Sequence, residues 1–220
     1  MNESTKAVIF DFDGVIVDSV AQNWKHIRQV LSDGFGIELE EANISNYVGT
    51  TLRQQISRLI ADYGKEINFN QFEEQLTLVK EQADPPEVSL GIEELVQSLD
   101  EAGFALGICT SSPRTRLNAL LRHGNLLKSF SAIITSEDTK LPKPNSECFL
   151  LTANELGVTA SNCVVIEDAP VGLVAAKAAG MKSIAIKSLY FDEDKLASAD
   201  KVVESIIEID PELIEGMYNE

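Results

Sequence analysis

The sequence predicts an α/β protein: a doubly wound parallel sheet with a helical bundle inserted after the first strand. Three observations lead there. A short apolar run, Ala7-Val8-Ile9-Phe10, passes straight into acids at Asp11 and Asp13. From Leu90 onward, helical segments and short apolar runs alternate. Between these regions, residues 19–87 carry only helical periodicity. Strands alternating with helices imply parallel pairing through crossover connections. The expected division is therefore an α/β core from residues 1–18 and 88–220, with residues 19–87 as a separate helical domain.

Ala7 to Phe10 is short and unbroken by polar residues, as expected of a strand buried on both faces. Side chains alternate along a strand, so Asp11 and Asp13 share a direction if the extended shape persists. Gly14 then permits a turn. Val20, Trp24, Ile27, Val30 and Leu31 recur at helical spacing, and Gly34 and Gly36 are expected to end that helix. Leu52, Ile56, Leu59 and Ile60 predict a second helix ending near Gly64, and Phe69, Phe72, Leu76 and Val79 a third. Asp84-Pro85-Pro86 breaks the pattern, because proline removes a donor and restricts the residue before it.

The remaining elements follow in turn. Ile92 to Leu99 reads as a helix, Phe104 to Cys109 as a strand, and Arg114 to Arg122 as a helix stopped by Gly124. Ala132 to Ile134 is a short strand, Ser146 to Leu156 a helix, and Cys163 to Ile166 a strand. Pro170 opens a helix that stops at Gly180, and strands follow at Ser183 to Ile186 and Lys201 to Val203.

Composition narrows the function. The net charge of −17 disfavours nucleic acid as a partner, since backbone phosphates are bound by clusters of Lys and Arg. No apolar run approaches a membrane span, and the polar start gives no secretory signal, so a cytoplasmic protein is expected. Cys109, Cys148 and Cys163 share no metal-ligand spacing and read as buried thiols. His26 and His123 have no Ser or Cys nucleophile near them in the pattern and read as packing or surface residues.

Four sets of polar residues follow the apolar runs: Asp11 and Asp13, then Thr110-Ser111-Ser112, then Lys143-Pro144, then Glu167-Asp168. In a parallel sheet the carboxyl ends of the strands share one edge, where α/β proteins bind ligands. Two carboxylates there can hold a hard cation, and one can act as a nucleophile. Each set also has an ordinary explanation. Thr110 and the serines can cap a helix, Lys143 can be a loop lysine, and Glu167-Asp168 can favour a helix dipole. Gly172 reads as a close-packing position.

Taken in this order and spacing, the motifs Asp11-Phe12-Asp13-Gly14-Val15, Thr110-Ser111-Ser112, Lys143-Pro144 and Ile166-Glu167-Asp168-Ala169-Pro170 resemble the haloacid dehalogenase-like superfamily over essentially the whole chain. The inserted helices resemble its cap domain of the first type, on a Rossmann-like core. The resemblance implies Asp11 as the nucleophile that forms an aspartyl phosphate, and Asp13 as general acid and base. It implies Thr110, Ser111 and Lys143 as phosphate ligands. It implies Mg²⁺ held by the Asp11 and Asp168 carboxylates and the Asp13 carbonyl, with Glu167 binding directly or through water.

The implied activity is Mg²⁺-dependent hydrolysis of small phosphomonoesters, of the phosphoglycolate or sugar-phosphate kind. The alternative is a β-phosphoglucomutase-type sugar phosphomutase. Many sugar-phosphate members carry a histidine a few residues after the Asp18-Ser19 pair, near where Asn23 stands here, and Val48 to Arg53 is closer to phosphoglycolate phosphatase and pyrophosphatase relatives. A more distant alternative is a non-catalytic phospho-aspartate signalling module, which would be a single short domain with its acid on a later strand. Gly49, Arg53 and Arg114 are the candidates for substrate specificity, with the cap expected to close over the site. The expected partner is a small phosphorylated metabolite, and the expected state is a monomer or weak homodimer.

Overall fold

A computed structural model describes residues 5–47, 52–83, 87–120, 126–188, 190–191 and 193–218. The chain divides into two compact units, one of residues 1–18, 87–188 and 192–220, the other of residues 19–86 and 189–191.

The first unit is built on a six-stranded sheet of β1 (Ala7–Phe10), β2 (Ala105–Cys109), β3 (Ala132–Ile134), β4 (Cys163–Glu167), β5 (Lys182–Ile186) and β6 (Lys201–Val203). The order is β3-β2-β1-β4-β5-β6, and every pairing is parallel. This is the doubly wound arrangement expected. The order reverses beside β1, so its carboxyl end opens at the switch point where such sheets bind ligands. Phe10 lies level with Ile108 of β2 and Ile166 of β4, which puts the ends of the three strands at one height.

Strand alternation distributes the core. Val8 and Phe10 join one apolar cluster with Ile108 and Ile166, while Ala7 and Ile9 join another with Cys163 and Val165. Burial on both faces explains why these strands are apolar up to their carboxyl ends. Helices α4 (Ile92–Glu101), α5 (Arg114–Leu120), α6 (Glu147–Leu156), α7 (Pro170–Ala178), α8 (Glu193–Leu196) and α9 (Pro211–Met217) complete the unit. The last two did not stand out in the sequence pattern, because both are short. Asp210 caps α9 by accepting from the Leu213 N–H at 2.7 Å.

The helical insertion leaves and re-enters the first unit along paired backbone. Val17 bridges Val88 in antiparallel fashion, and the Asp18 N–H donates to the Glu87 carbonyl at 3.1 Å. Glu87 thus groups with the sheet unit, one residue earlier than the linear division places it.

The second unit contains α1 (Ser19–Phe35), α2 (Leu52–Tyr63) and α3 (Phe69–Gln82) around Trp24, Ile27, Leu31, Ile56, Leu59, Phe72 and Leu76. Tyr190 packs against the same cluster, which accounts for the grouping of residues 189–191 with these helices. Gly34 does not end α1 as expected. It lies within the helix, facing the amide end of the Gln75 side chain of α3. The stop is Gly36, at φ +62, with the Ile37 N–H reaching back to the Leu31 carbonyl.

Phe10 is fully buried beneath the switch point and meets Phe130 edge to face at 5.7 Å. Phe10→Ala should therefore cost about 3–5 kcal/mol of stability, measured by urea unfolding.

Candidate active site

Strand β1 stops at Phe10, and the next residues curl. The Phe12 carbonyl accepts from both the Ile16 and Val17 N–H groups, and Gly14 takes φ +91. Phe12 stays in the same cluster as Phe10, while Asp11 emerges on the other side. Gly14 is required twice over: its conformation is left-handed, and a Cβ there would strike the Asp168 carboxylate.

Asp11, Glu167 and Asp168 bring carboxylate oxygens within 4.8 Å of one another, and all three residues are buried. Lys143 sits among them. Its ammonium donates to Asp11 Oδ1 at 2.6 Å, Glu167 Oε1 at 2.7 Å and the Cys109 carbonyl at 3.2 Å. An ammonium has three N–H groups, so each has a partner. The side chain also lies over the Phe149 ring, 4.7 Å from its centre. Glu167 is anchored at its other oxygen, where Oε2 accepts from the Asp168 and Ala169 N–H groups at 3.0 Å each. Gly172, early in α7, makes room for it, since a Cβ there would overlap the Glu167 carboxylate.

The charges do not balance. Three carboxylates face one ammonium in a buried place. Burial pushes the Asp11 carboxyl up to about 8, with Lys143 opposing and Glu167 adding to the rise. Burial likewise raises Asp168 well above the carboxylate range, assisted by Glu167 and Asp11. Burial by itself would lower Lys143, but Asp11 and Glu167 outweigh it and hold it well above the ordinary lysine value. A divalent cation would neutralise the set, and an all-oxygen donor set is what a hard cation such as Mg²⁺ takes. The residues present therefore fit a magnesium site.

Asp13 has different partners. Ser112 Oγ donates to Oδ2 at 2.5 Å, and Arg116 donates to Oδ1 from Nη2 at 2.8 Å and Nε at 3.3 Å. The two motif acids thus share the sheet edge but face separate neighbours, because the chain turns at Phe12. Ser112 belongs to the expected Thr110-Ser111-Ser112 set but had no assigned role, and Arg116 was not among the expected site residues. Only the tertiary fold brings them to Asp13, across about a hundred residues of sequence.

Thr110 follows β2, with its N–H donating to the Ile134 carbonyl at 2.9 Å. Its hydroxyl oxygen accepts from the Ser112 N–H at 3.0 Å, the local turn expected of such a residue, and its hydroxyl hydrogen is not used in that bond. Thr110, Ser111 and Lys143 line one cavity of about 190 Å³, together with Lys140 and Cys148.

Of the three specificity candidates, Arg53 and Arg114 are among the described residues. Arg114 is committed within its own unit, to the Ile133 carbonyl at 3.0 Å and Asp138 Oδ2 at 2.7 Å. Arg53 stacks on Phe69 at 3.9 Å within the helical unit. Gly49 lies outside the described residues, as does His123. His26 is buried in the helical unit, and burial with Lys80 and Lys25 nearby keeps its imidazole below the usual value. The three cysteines are free and buried.

These features define a class. The chain belongs to the haloacid dehalogenase-like hydrolase family, whose model matches residues 8–186. It is 27% identical over 221 residues to the β-phosphoglucomutase of Bacillus subtilis (strain 168), covering 95% of this chain and 93% of that protein. It is 25% identical over 209 residues to the validoxylamine A 7′-phosphate phosphatase of Streptomyces hygroscopicus subsp. limoneus, covering 93% and 95%. A conserved haloacid dehalogenase-like protein of unknown function from Agrobacterium tumefaciens strain C58 has the same fold, with TM-score 0.82 at 24% identity over 97% of this chain and 99% of that one.

Two outcomes are expected. Gly172→Ala should displace Glu167 and with it Lys143, lowering kcat/KM toward a phosphomonoester by about 10²-fold, the scale of an ångström-level misplacement. The second concerns pH. The folded Asp11 value lies above its unfolded one, so the folded chain binds the extra proton between 3.8 and about 8. Without metal, stability should therefore fall as pH rises through that window. In chelator, Asp11→Asn should melt higher than wild type, by a margin that grows toward the top of that range and that Mg²⁺ diminishes. Thermal melting with and without Mg²⁺ reads this directly.

Proposed function

We propose that this chain is a Mg²⁺-dependent phosphatase of small phosphomonoesters that works through an aspartyl phosphate on Asp11. The observation that carries this reading is the Lys143 ammonium held between Asp11 and Glu167 at the end of β1, beside Asp168. It is supported by the family's relatives, which include enzymes named for phosphate-ester hydrolysis.

Asp11 and Asp168, with the Asp13 carbonyl and Glu167, would hold Mg²⁺, whose charge offsets the repulsion between a carboxylate and a phosphoryl group. The Thr110 and Ser111 groups take the phosphoryl oxygens, and Lys143, whose bond to Asp11 would pass to a phosphoryl oxygen, keeps a fixed positive charge where negative charge builds up. An Asp11 oxygen attacks phosphorus as the bond to the leaving oxygen breaks. Asp13 gives that oxygen its proton, and the alcohol departs. Asp13 then takes a proton from water, the resulting hydroxide displaces Asp11 from phosphorus, and inorganic phosphate leaves with the carboxylate restored. The acid and base roles of Asp13 are thus one proton taken up for each one given.

The substrate in this reading is a small phosphorylated metabolite, met in the cytoplasm by a monomer or weak homodimer. Among the described residues, no helix is long and apolar enough to cross a membrane. The similarity to a β-phosphoglucomutase favours a second reading, transfer to a sugar hydroxyl. Incubation with β-glucose 1-phosphate and glucose 1,6-bisphosphate separates the two: glucose 6-phosphate without free phosphate means mutase.

Phosphate release from a panel of esters, with Mg²⁺ or chelator, tests the main reading. Asp11→Ala should abolish turnover, and acid-quenched wild type should carry a phosphoryl group on Asp11 by mass spectrometry. Asp13→Asn should slow turnover by at least ~10²-fold, the usual contribution of general acid–base help. Full activity in either variant would exclude this mechanism.

A further inference from the structure

We infer that Arg116 determines substrate specificity by selecting phosphomonoesters whose leaving group carries a second anion; this rests on the phosphatase reading above. Arg114 and Arg116 begin α5 two residues apart, a spacing that sends helical side chains to different faces. Arg114 is tied to Asp138 and the Ile133 carbonyl. Arg116 instead places two N–H groups on one oxygen of Asp13, while Ser112 holds the other. Both oxygens of the residue that must meet the leaving group are therefore already occupied by donors.

A guanidinium has five N–H groups. The three that Arg116 does not spend on Asp13 have no partner among the described residues, and its side chain is 35% exposed. An ion pair this open to water adds little to stability, so holding the fold together does not account for its position.

The leaving oxygen must come within hydrogen-bond distance of Asp13. Two such bonds in series, of about 2.8 Å each, place it within roughly 5.5 Å of the Arg116 guanidinium. A carboxylate one carbon beyond that oxygen falls within reach of a bidentate contact. Arg116 would then exchange Asp13 for the substrate's anion, which frees Oδ1 for the leaving oxygen. A neutral leaving group gives Arg116 nothing to exchange for, and the guanidinium continues to compete for Oδ1. In a chain of net charge −17, a cation at this point also offsets the general repulsion felt by a doubly anionic ester.

The test compares 2-phosphoglycolate with its uncharged amide, 2-phosphoglycolamide, by phosphate release. Wild type should prefer the acid by about tenfold or more in kcat/KM, a typical discrimination for a charge-assisted contact. Arg116→Gln should remove most of that preference through a higher KM for the acid, and Arg116→Lys should keep part of it. An unchanged ratio in Arg116→Gln, or no preference in wild type, overturns the proposal, since a residue that only positions Asp13 would affect both esters alike. Should no ester be hydrolysed, the phosphatase reading fails separately. Calorimetric binding of the two compounds to Asp11→Asn, with and without Arg116→Gln, still reads Arg116: tighter binding of the acid that depends on Arg116 supports the proposal, and equal binding sinks it.

Discussion

One ammonium among three buried carboxylates sets the terms for this site. Lys143 spends its three N–H groups on Asp11, Glu167 and the Cys109 carbonyl, so it cannot shift without leaving a buried charge unpaired. The cluster still carries more negative than positive charge. Burial makes that excess costly and raises the carboxyls of Asp11 and Asp168. An arrangement that is uneven by itself and even with a dication is suited to a cation-dependent site, and suited to an incoming anion once that cation is present.

The sheet makes this convergence possible. Parallel pairing brings the carboxyl ends of β1, β2 and β4 to one height, and the reversal of strand order beside β1 leaves those ends uncovered. Two glycines then provide clearance. Gly14 leaves space for the Asp168 carboxylate and Gly172 for that of Glu167. Their role is volume near the charges rather than contact with a ligand. The backbone N–H groups of Asp168 and Ala169, at the entry to α7, hold the far oxygen of Glu167 and so fix the carboxylate that steadies Lys143.

The two acids of the first motif illustrate how a local pattern diverges in space. Strand periodicity puts Asp11 and Asp13 on one face. The turn closed by the Phe12 carbonyl gives them separate neighbours, Lys143 for one and Ser112 with Arg116 for the other. In the proposed mechanism a nucleophile and a proton donor need different electrostatic settings, and the turn would supply them two residues apart. Arg114 and Arg116 show the same divergence on a helix: adjacent in pattern, they end on Asp138 and Asp13.

Much was legible in the sequence. Apolar runs buried on both faces, helical spacing between them, and acids at the run ends determined the α/β class, the helical insertion and the members of the acidic cluster, because period and burial are local properties of a chain. Other features had no local signal. Ser112 and Arg116 meet Asp13 only because β2 lies beside β1, and nothing in the residues around Arg116 sets it apart from Arg114. Gly34 resembled a helix stop and proved to lie inside α1, because the helix continues to Phe35 and the left-handed turn falls at Gly36. The sequence by itself therefore determined which chemical groups are present and at which strand ends. The tertiary structure alone decided which charge faces which, because that depends on strand order and on turns that join residues far apart along the chain.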